Sequence, residues 1–461
     1  MAASTTSDPA LVSPAVQDYP RPSYAWYVVG VLTLLYVFSF IDRYILALLV
    51  EPMKRDLAIN DTQMSLLMGF SFAVFYCLFG LPLGRLADSR RRTVIIAAGC
   101  FVWSLMTAAC GLARNYWHLL LLRMGVGIGE ATLSPAAYSL ITDYFPKERL
   151  ATALSVYTTA IHIGTGFAFI FGGAVVAFVG SESSMTLPIV GSLRPWQTVF
   201  FIVGVPGLAL VLLMRTVREP ARRALNRART SVASSAAASI PLGEVWCYFA
   251  ANKGTLLCHC LGFTLSSLTS YTTWGPTLFI RNYGWSAAEA GIVSGLLMST
   301  VGVLGILAGG HFADHLARRG YADANMRLGL IATLAWFPTG ILFPLMPTGL
   351  SAVALLIPTY FMVSAPWGAA AAALQQVVPD RMRGQAAAVY LLAVNLIGLG
   401  VGPTAVALLT DFVFEDDSAL NLSLLIVGTV SHIAAALLLW KGLRFFRESL
   451  ERLRLWNLAN Q

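Results

Sequence analysis

The chain has 461 residues; 57% are hydrophobic and only 12% charged, with a mean hydropathy of +0.69. A soluble globular chain carries about 25% charge, so this composition excludes a water-soluble protein and calls for many bilayer passages of roughly 20 apolar residues each. The net charge of +8 sits in short loops rather than on a soluble basic face, which excludes nucleic-acid binding, and the apolar runs lack the alternation of barrel strands, which leaves helices.

Residues 1–23 are polar and rich in Ser, Pro and Ala. They lack the apolar core of a signal peptide and read as a disordered cytoplasmic tail. Apolar stretches follow at about 25–50, 64–84, 93–113, 116–141, 151–180, 197–214, 254–280, 288–311, 327–346, 349–373, 384–411 and 419–441, predicting twelve membrane helices, helix 1 to helix 12. Alternate connections hold most of the 31 Lys and Arg: "RLADSRRR" (85–92), "FPKER" (145–149), "RTVREPARRALNRAR" (215–229), "HLARRG" (315–320) and "DRMR" (380–383). The opposite connections include the acidic "DFVFEDD" (411–417). The positive-inside rule therefore places both termini and the basic 215–243 linker in the cytoplasm. The tail 442–461 spaces basic residues among Leu, Phe and Trp and reads as an amphipathic helix on the inner leaflet.

The six cysteines fall in or near apolar spans, without a disulfide pattern. Cys258-His259-Cys260 is a poor metal site, because positions i and i+2 of a helix diverge and a fourth ligand is missing. No G-x-x-x-x-G-K-[ST], G-x-S-x-G or zinc signature is present, so neither ATP-driven pumping nor an enzyme activity is expected, and no cofactor or metal.

An internal repeat organises the rest. "GRLADSRRR" carries Gly84, Asp88 and Arg92, and "GHFADHLARR" carries Gly310, Asp314 and Arg318 with the same spacing. "FPKERLATALSVY" (145–157) and "VPDRMRGQAAAVY" (378–390) form a second echo. The chain thus divides into six-helix halves, 24–214 and 244–441, joined by the linker, the duplicated layout of transporters. The repeated Gly allows close helix approach, and the repeated Asp can meet a helix N-terminus or a basic partner. The six residues read as a latch that closes one conformation.

These motifs resemble those of the major facilitator superfamily, whose loop signature is roughly G-x3-D-R-x-G-R-R. Ser89 and Arg91 depart from it here, as do His315 and Ala317 in the second copy. Within that superfamily, "FIDRY" in helix 1 and "RMGVGIGEATLSPA" in helix 4 resemble the spinster-like branch. The resemblance implies an all-α fold of twelve transmembrane helices in two halves related by a pseudo-two-fold axis. It also implies export of lysolipid- or sphingolipid-like substrates, coupled to protons.

Asp42 and Arg43 are charges inside helix 1, where they need a reason. Asp42 lies about 12 Å from the outer end of helix 1, and Arg123 about 10 Å into helix 4 from the same side, at 1.5 Å per residue. Glu130 lies about 21 Å in, two turns beyond Arg123 on the same face. The expectation is an Arg123–Asp42 pair while the acid is ionised, with Arg43 reaching Glu130 or an anionic headgroup. Asp42 and Glu130 are the expected proton-coupling residues, and Arg43 and Arg123 the expected substrate contacts. In the second half, helices 7, 10 and 11 offer aromatic and polar candidates for an amphipathic substrate: Trp274, Tyr360, Trp367 and Asn395. Pro276, Pro366 and Pro403 mark expected bends, and His162 is a titratable outlier of helix 5.

The reading is a secondary active transporter, proton-coupled, moving an amphipathic substrate by alternating access. A drug:proton antiporter, an organic-anion:proton symporter and, from another class, a transport-inactive sensor are the alternatives. The expected partners are that substrate, protons and membrane lipids. The expected setting is a bacterial inner membrane, and a monomer suffices for two halves around one cavity.

Overall fold

A computed structural model of the chain describes residues 19–180, 185–187, 191–220, 242–268, 270–379 and 382–459. Most of the 1–23 tail and of the 215–243 linker lie outside these, as does the Asp88 side chain. Among the described residues ten helices are long and apolar enough to cross a membrane. Two further passages are each built from two shorter helices, Tyr116–Glu130 with Leu133–Tyr144 (helix 4) and Lys253–Ser266 with Tyr271–Tyr283 (helix 7). Together they are consistent with the twelve passages expected. A small antiparallel hairpin pairs Met185–Leu187 with Gly191–Leu193 between helices 5 and 6.

Helix 1 runs from Pro22 to Tyr44, tightens into a 3-10 turn at Ile45–Leu48, and gives way to a short helix, Val50–Leu57. Pro22 starts it at the position where a missing N–H costs nothing. Helix 2 opens on an Asn60 capping box at Asp61–Ser65, widens into a π turn at Leu66–Phe70, and continues as Ser71–Ser89. Helix 3 is Arg92–Cys110, helix 5 Lys147–Gly180 and helix 6 Pro195–Met214. In the second half, helix 8 carries a π turn at Leu297–Gly302 and helix 11 one at Val394–Val401. Helix 10 passes from Gly349–Ser364 to Pro366–Gln376, so Pro366 marks a joint as expected. Helix 7 instead breaks at Ser267–Ser270, where Ser270 takes a left-handed φ of 56°, ahead of Pro276. π turns of this kind leave backbone groups out of the regular ladder and often sit at functional positions.

Among the described residues, the start of helix 1 at Pro22, the end of helix 12 at Ala459 and the basic loops after helices 2, 4 and 8 share one end of the bundle, here the near end; the opposite, far end carries Val50–Leu57 and the acidic 411–417 segment. The expected amphipathic tail is not a separate helix. Helix 12 continues unbroken from Leu420 to Ala459, 40 residues or about 60 Å. Its last turns dock on the start of helix 7: Ser449 bonds Thr255 and Asn252, and Arg452 donates to the Ala251 carbonyl. Trp456 packs edge-on against Tyr248, with ring centroids 6.4 Å apart.

The halves meet along helices 5 and 8, where Gly166 and Gly173 face Gly295 and Gly291, and along helices 2 and 11. Gly69 is the tightest point: an added Cβ would lie 2.0 Å from the Leu399 carbonyl oxygen. Small residues allow this backbone approach in lipid.

Candidate functional site: a buried charge pair between two bundles

The break in helix 4 places Glu130 at the last position of the helix Tyr116–Glu130. Its carboxylate stands at the negative end of a helix dipole and needs a cation. Helix 1 supplies it. Arg43 Nη2 donates to Glu130 Oε2 at 2.6 Å, and the Ser39 hydroxyl donates to the same oxygen at 2.8 Å. The side chains of Arg43 and Glu130 are only 9% and 1% exposed. The guanidinium carbon lies 4.3 Å from the Phe72 ring, 4.8 Å from Phe40 and 5.6 Å from Tyr76, an aromatic box that favours a desolvated cation. The Arg43–Glu130 contact is one of the two alternatives read from the sequence.

Arg123 differs from expectation. It is fully buried next to Asp42, yet no Arg123–Asp42 ion pair forms. Its Nη1 donates to the Asp42 backbone carbonyl at 3.0 Å, and its Nε to the Leu67 carbonyl at 3.3 Å. Those carbonyls belong to the stretch where helix 1 tightens and helix 2 widens, so they are free to take a side-chain donor. The Asp42 carboxyl faces Thr107 of helix 3 instead.

Arg43 lines a narrow cleft between the halves, with Tyr44, Ala47, Met68, Phe72, Thr273 and Leu399. A second narrow cleft lies in the C-terminal half, walled by Phe263, Ser267, Trp367, Tyr390 and Val394. Of the C-half candidates, Trp367 is 43% exposed and sits in that wall. Tyr360 is buried. Asn395 turns back to donate to the Leu391 carbonyl of its own helix. Trp274 is wholly buried and its indole N–H donates to the Pro403 carbonyl at 3.0 Å, which packs helix 7 on helix 11.

The expected aromatic wall of the C-half is thus matched by a denser one in the N-half. Besides Phe40, Phe72 and Tyr76, Tyr36 stacks on Tyr157 at 4.8 Å, with Tyr138 edge-on to it. The sequence signal is the i,i+4 pairs Tyr36/Phe40 and Phe72/Tyr76, which share helix faces. Cys258-His259-Cys260 serves packing: His259 Nε2 contacts the Ala370 carbonyl at 2.7 Å, and its ring packs on Phe263 and Tyr390. His162 is buried against Gly302 at the helix 5–8 seam.

The far end is clamped by charges that cross between the halves. Arg281 of helix 7 bonds Glu51 Oε1 at 2.7 Å and Asp61 Oδ2 at 2.8 Å. Lys54 bonds Asp61 and Asp417, each at 2.7 Å. The Asp411 carboxylate accepts from the backbone N–H groups of Asp61 and Thr62 at the start of helix 2, where a helix favours an anion. The clustered carboxylates of Asp61, Asp411 and Asp417 are therefore served by Lys54, Arg281 and a helix N-terminus.

The expected near-end latch is not assembled as a bridge between the halves. Arg92 is buried within the N-terminal bundle, bonded to Asp143 and to Glu219 at 2.8 Å. Gly84 faces Pro135 of its own half. Gly310, Asp314 and Arg318 are exposed at the near end.

Two duplicated helical bundles, clamped at one end, with charged groups buried beside a cleft between them, define a multi-pass membrane transporter and not an enzyme. Residues 32–441 match the family model described as Major Facilitator Superfamily, and the chain belongs to that superfamily. It is 29% identical over 442 residues to an MFS-type efflux pump of Mycolicibacterium smegmatis, covering 95% of this chain and 97% of that one. It is 26% identical to protein spinster homolog 1 of Xenopus tropicalis, covering 84% and 74%. Among solved structures, a bacterial homologue of the human lysosomal transporter Spinster, in an inward-facing and occupied conformation, matches with a TM-score of 0.73. That match is 27% identical and covers 93% of this chain and 97% of the other. The spinster-like resemblance read from helices 1 and 4 therefore holds.

Proposed function

We propose that the protein is a proton-coupled secondary transporter that exports an amphipathic, lysolipid- or sphingolipid-like compound from the near, cytoplasmic side of a bacterial inner membrane. The observation that carries this reading is the buried Arg43–Glu130 pair at the cleft between the halves. A buried ion pair that loses one charge is left strongly destabilised. Protonating Glu130 frees Arg43 for a substrate anion, while the apolar wall around Trp367 and Tyr390 suits a hydrophobic tail. Asp42, buried one residue away from Arg43, is the second proton site. Gly84, Asp88, Arg92, Gly310, Asp314 and Arg318 act when the near end closes, in the step opposite to the one seen here. A drug:proton antiporter is the second reading, favoured by the likeness to an efflux pump over nearly the whole chain.

The test is uptake into proteoliposomes under an imposed pH gradient, across lysophospholipids, lipophilic drugs and sugar acids. The wild type concentrates a lysophospholipid; Asp42→Asn and Glu130→Gln lose the gradient response. Concentrative uptake that persists in both variants would falsify the reading, and uptake of drugs alone would favour the second.

A further inference from the structure

Four of the orphaned polar atoms of the N-terminal bundle belong to Asp42 of helix 1 and to residues of helices 3 and 4 beside it. Asp42 Oδ1, Thr107 Oγ1, Ser104 Oγ and Arg123 Nη2 are all buried without a hydrogen-bond partner among protein atoms. More than nine in ten buried polar groups are satisfied in native proteins. A group of unsatisfied ones therefore marks a place that takes up water, which needs two to four polar partners.

The geometry separates this place from the cleft. Asp42 is 2% exposed and its carboxyl faces the Thr107 hydroxyl of helix 3. Arg43, the next residue, points about 100° away on the helix and lines the cleft between the halves. Ser104 and Cys100 follow Thr107 at spacings of three and four, so the three form one stripe down helix 3 toward the near end. Ser104 and Thr107 are wholly buried. Gly207 of helix 6 admits Ser104 closely: an added Cβ there would lie 2.2 Å from its hydroxyl oxygen. The groups that face Asp42 are Arg123 and Glu130 from helix 4 and Thr107, Cys100 and Cys110 from helix 3.

We infer that Asp42 exchanges its proton through a hydrated polar seam on the helix 3 side, positioned by Thr107, while the substrate approaches from the opposite side of helix 1. This rests on the reading that Asp42 carries a coupling proton. The step is simple: a seam water gives a proton to Asp42 Oδ1, an O–H bond forms, and the carboxylate becomes a neutral acid. The reverse step returns the proton to water. Thr107 is a positioning residue whose hydroxyl holds the seam water against the Asp42 carboxyl. Substrate and proton thus do not compete for one path.

The test is a difference-infrared pH titration of the full-length protein in lipid, following the protonated-carboxyl band that disappears in Asp42→Asn. Thr107→Val keeps the shape and removes the hydroxyl; Thr107→Ser keeps the hydroxyl. A hydrogen bond to a charged group corresponds to about one pH unit, so the midpoint rises by about one unit in Thr107→Val and stays in Thr107→Ser. A midpoint unmoved in Thr107→Val overturns the inference, as does an equal rise in both variants, which would report packing. A wild type in which no Asp42-dependent band titrates removes the coupling reading, and this inference with it.

Discussion

Arg281→Ala should open the far end. The guanidinium is 8% exposed and holds Glu51 and Asp61 of the opposite half, with a further bond to the Asp417 carbonyl at 3.1 Å. Removing one partner of a buried pair costs about 3–5 kcal/mol. Here the loss is smaller, because Asp61 keeps Lys54 at 2.7 Å. Glu51 is 41% exposed, so its share is at most about 1 kcal/mol. The clamped state should therefore lose about 2–3 kcal/mol, a shift of roughly 30- to 150-fold in the ratio of clamped to open molecules. Spin labels at exposed Arg55 and Leu350, one in each half at the far end, report this as a distance distribution. The wild type should give one short distance, and the variant should add a longer one. Pairing Arg281→Glu with Glu51→Arg should restore the short distance in part. A distribution unchanged by Arg281→Ala would show that helix packing alone, and not the charge clamp, holds the far end shut.

Two further changes test the seams around the site. Gly69→Ala forces a methyl group against the Leu399 carbonyl, where its Cβ would lie 2.0 Å from the oxygen. Overpacking of this kind costs about 1–3 kcal/mol. It should part helices 2 and 11 and raise the labelling of a cysteine at Thr273 by an impermeant reagent from the far side. At the near end, Glu219 accepts from the Thr93 N–H and hydroxyl, each at 2.9 Å, and from Arg92 at 2.8 Å. Burial pushes its carboxyl up, but these hydrogen bonds and the Arg92 charge outweigh burial and hold it below the usual range. A depressed carboxyl contributes stability above the unfolded value of about 4.3 and loses it as pH falls through the folded value. The protection of the 215–220 amides, taken relative to the intrinsic exchange rate at each pH, should therefore fall below about pH 4. Glu219→Gln should expose the segment at all pH values, at a cost of about 1–2 kcal/mol.

How far the sequence carries can be read from particular residues. Helix 3, expected at 93–113, is Arg92–Cys110, and helix 6, expected at 197–214, is Pro195–Met214. Twenty apolar residues must cross lipid as a helix, so such spans are legible from composition alone. Arg43 and Glu130 are legible because a charge within an apolar run is too costly to sit there without a partner or a use. The break of helix 4 after Glu130 is not legible, because "GIGEATLSPA" reads as continuous helix. The far-end clamp is hidden too: Glu51, Asp61, Arg281, Asp411 and Asp417 come from both halves and meet only once the bundles pack. The burial of Trp274 against helix 11 is not legible either, because aromatic content does not say which helix face meets a neighbour. The loop motif reads as a latch, but only a conformation with the near end closed could display it.

The most direct measurement is proton movement itself. Protein reconstituted with a pH-sensitive dye inside the vesicle is given a transported lysophospholipid, with no initial pH gradient. The account predicts proton movement opposite to the substrate in the wild type and none in Asp42→Asn, although substrate still equilibrates. Substrate flux in the wild type without any proton movement would contradict it.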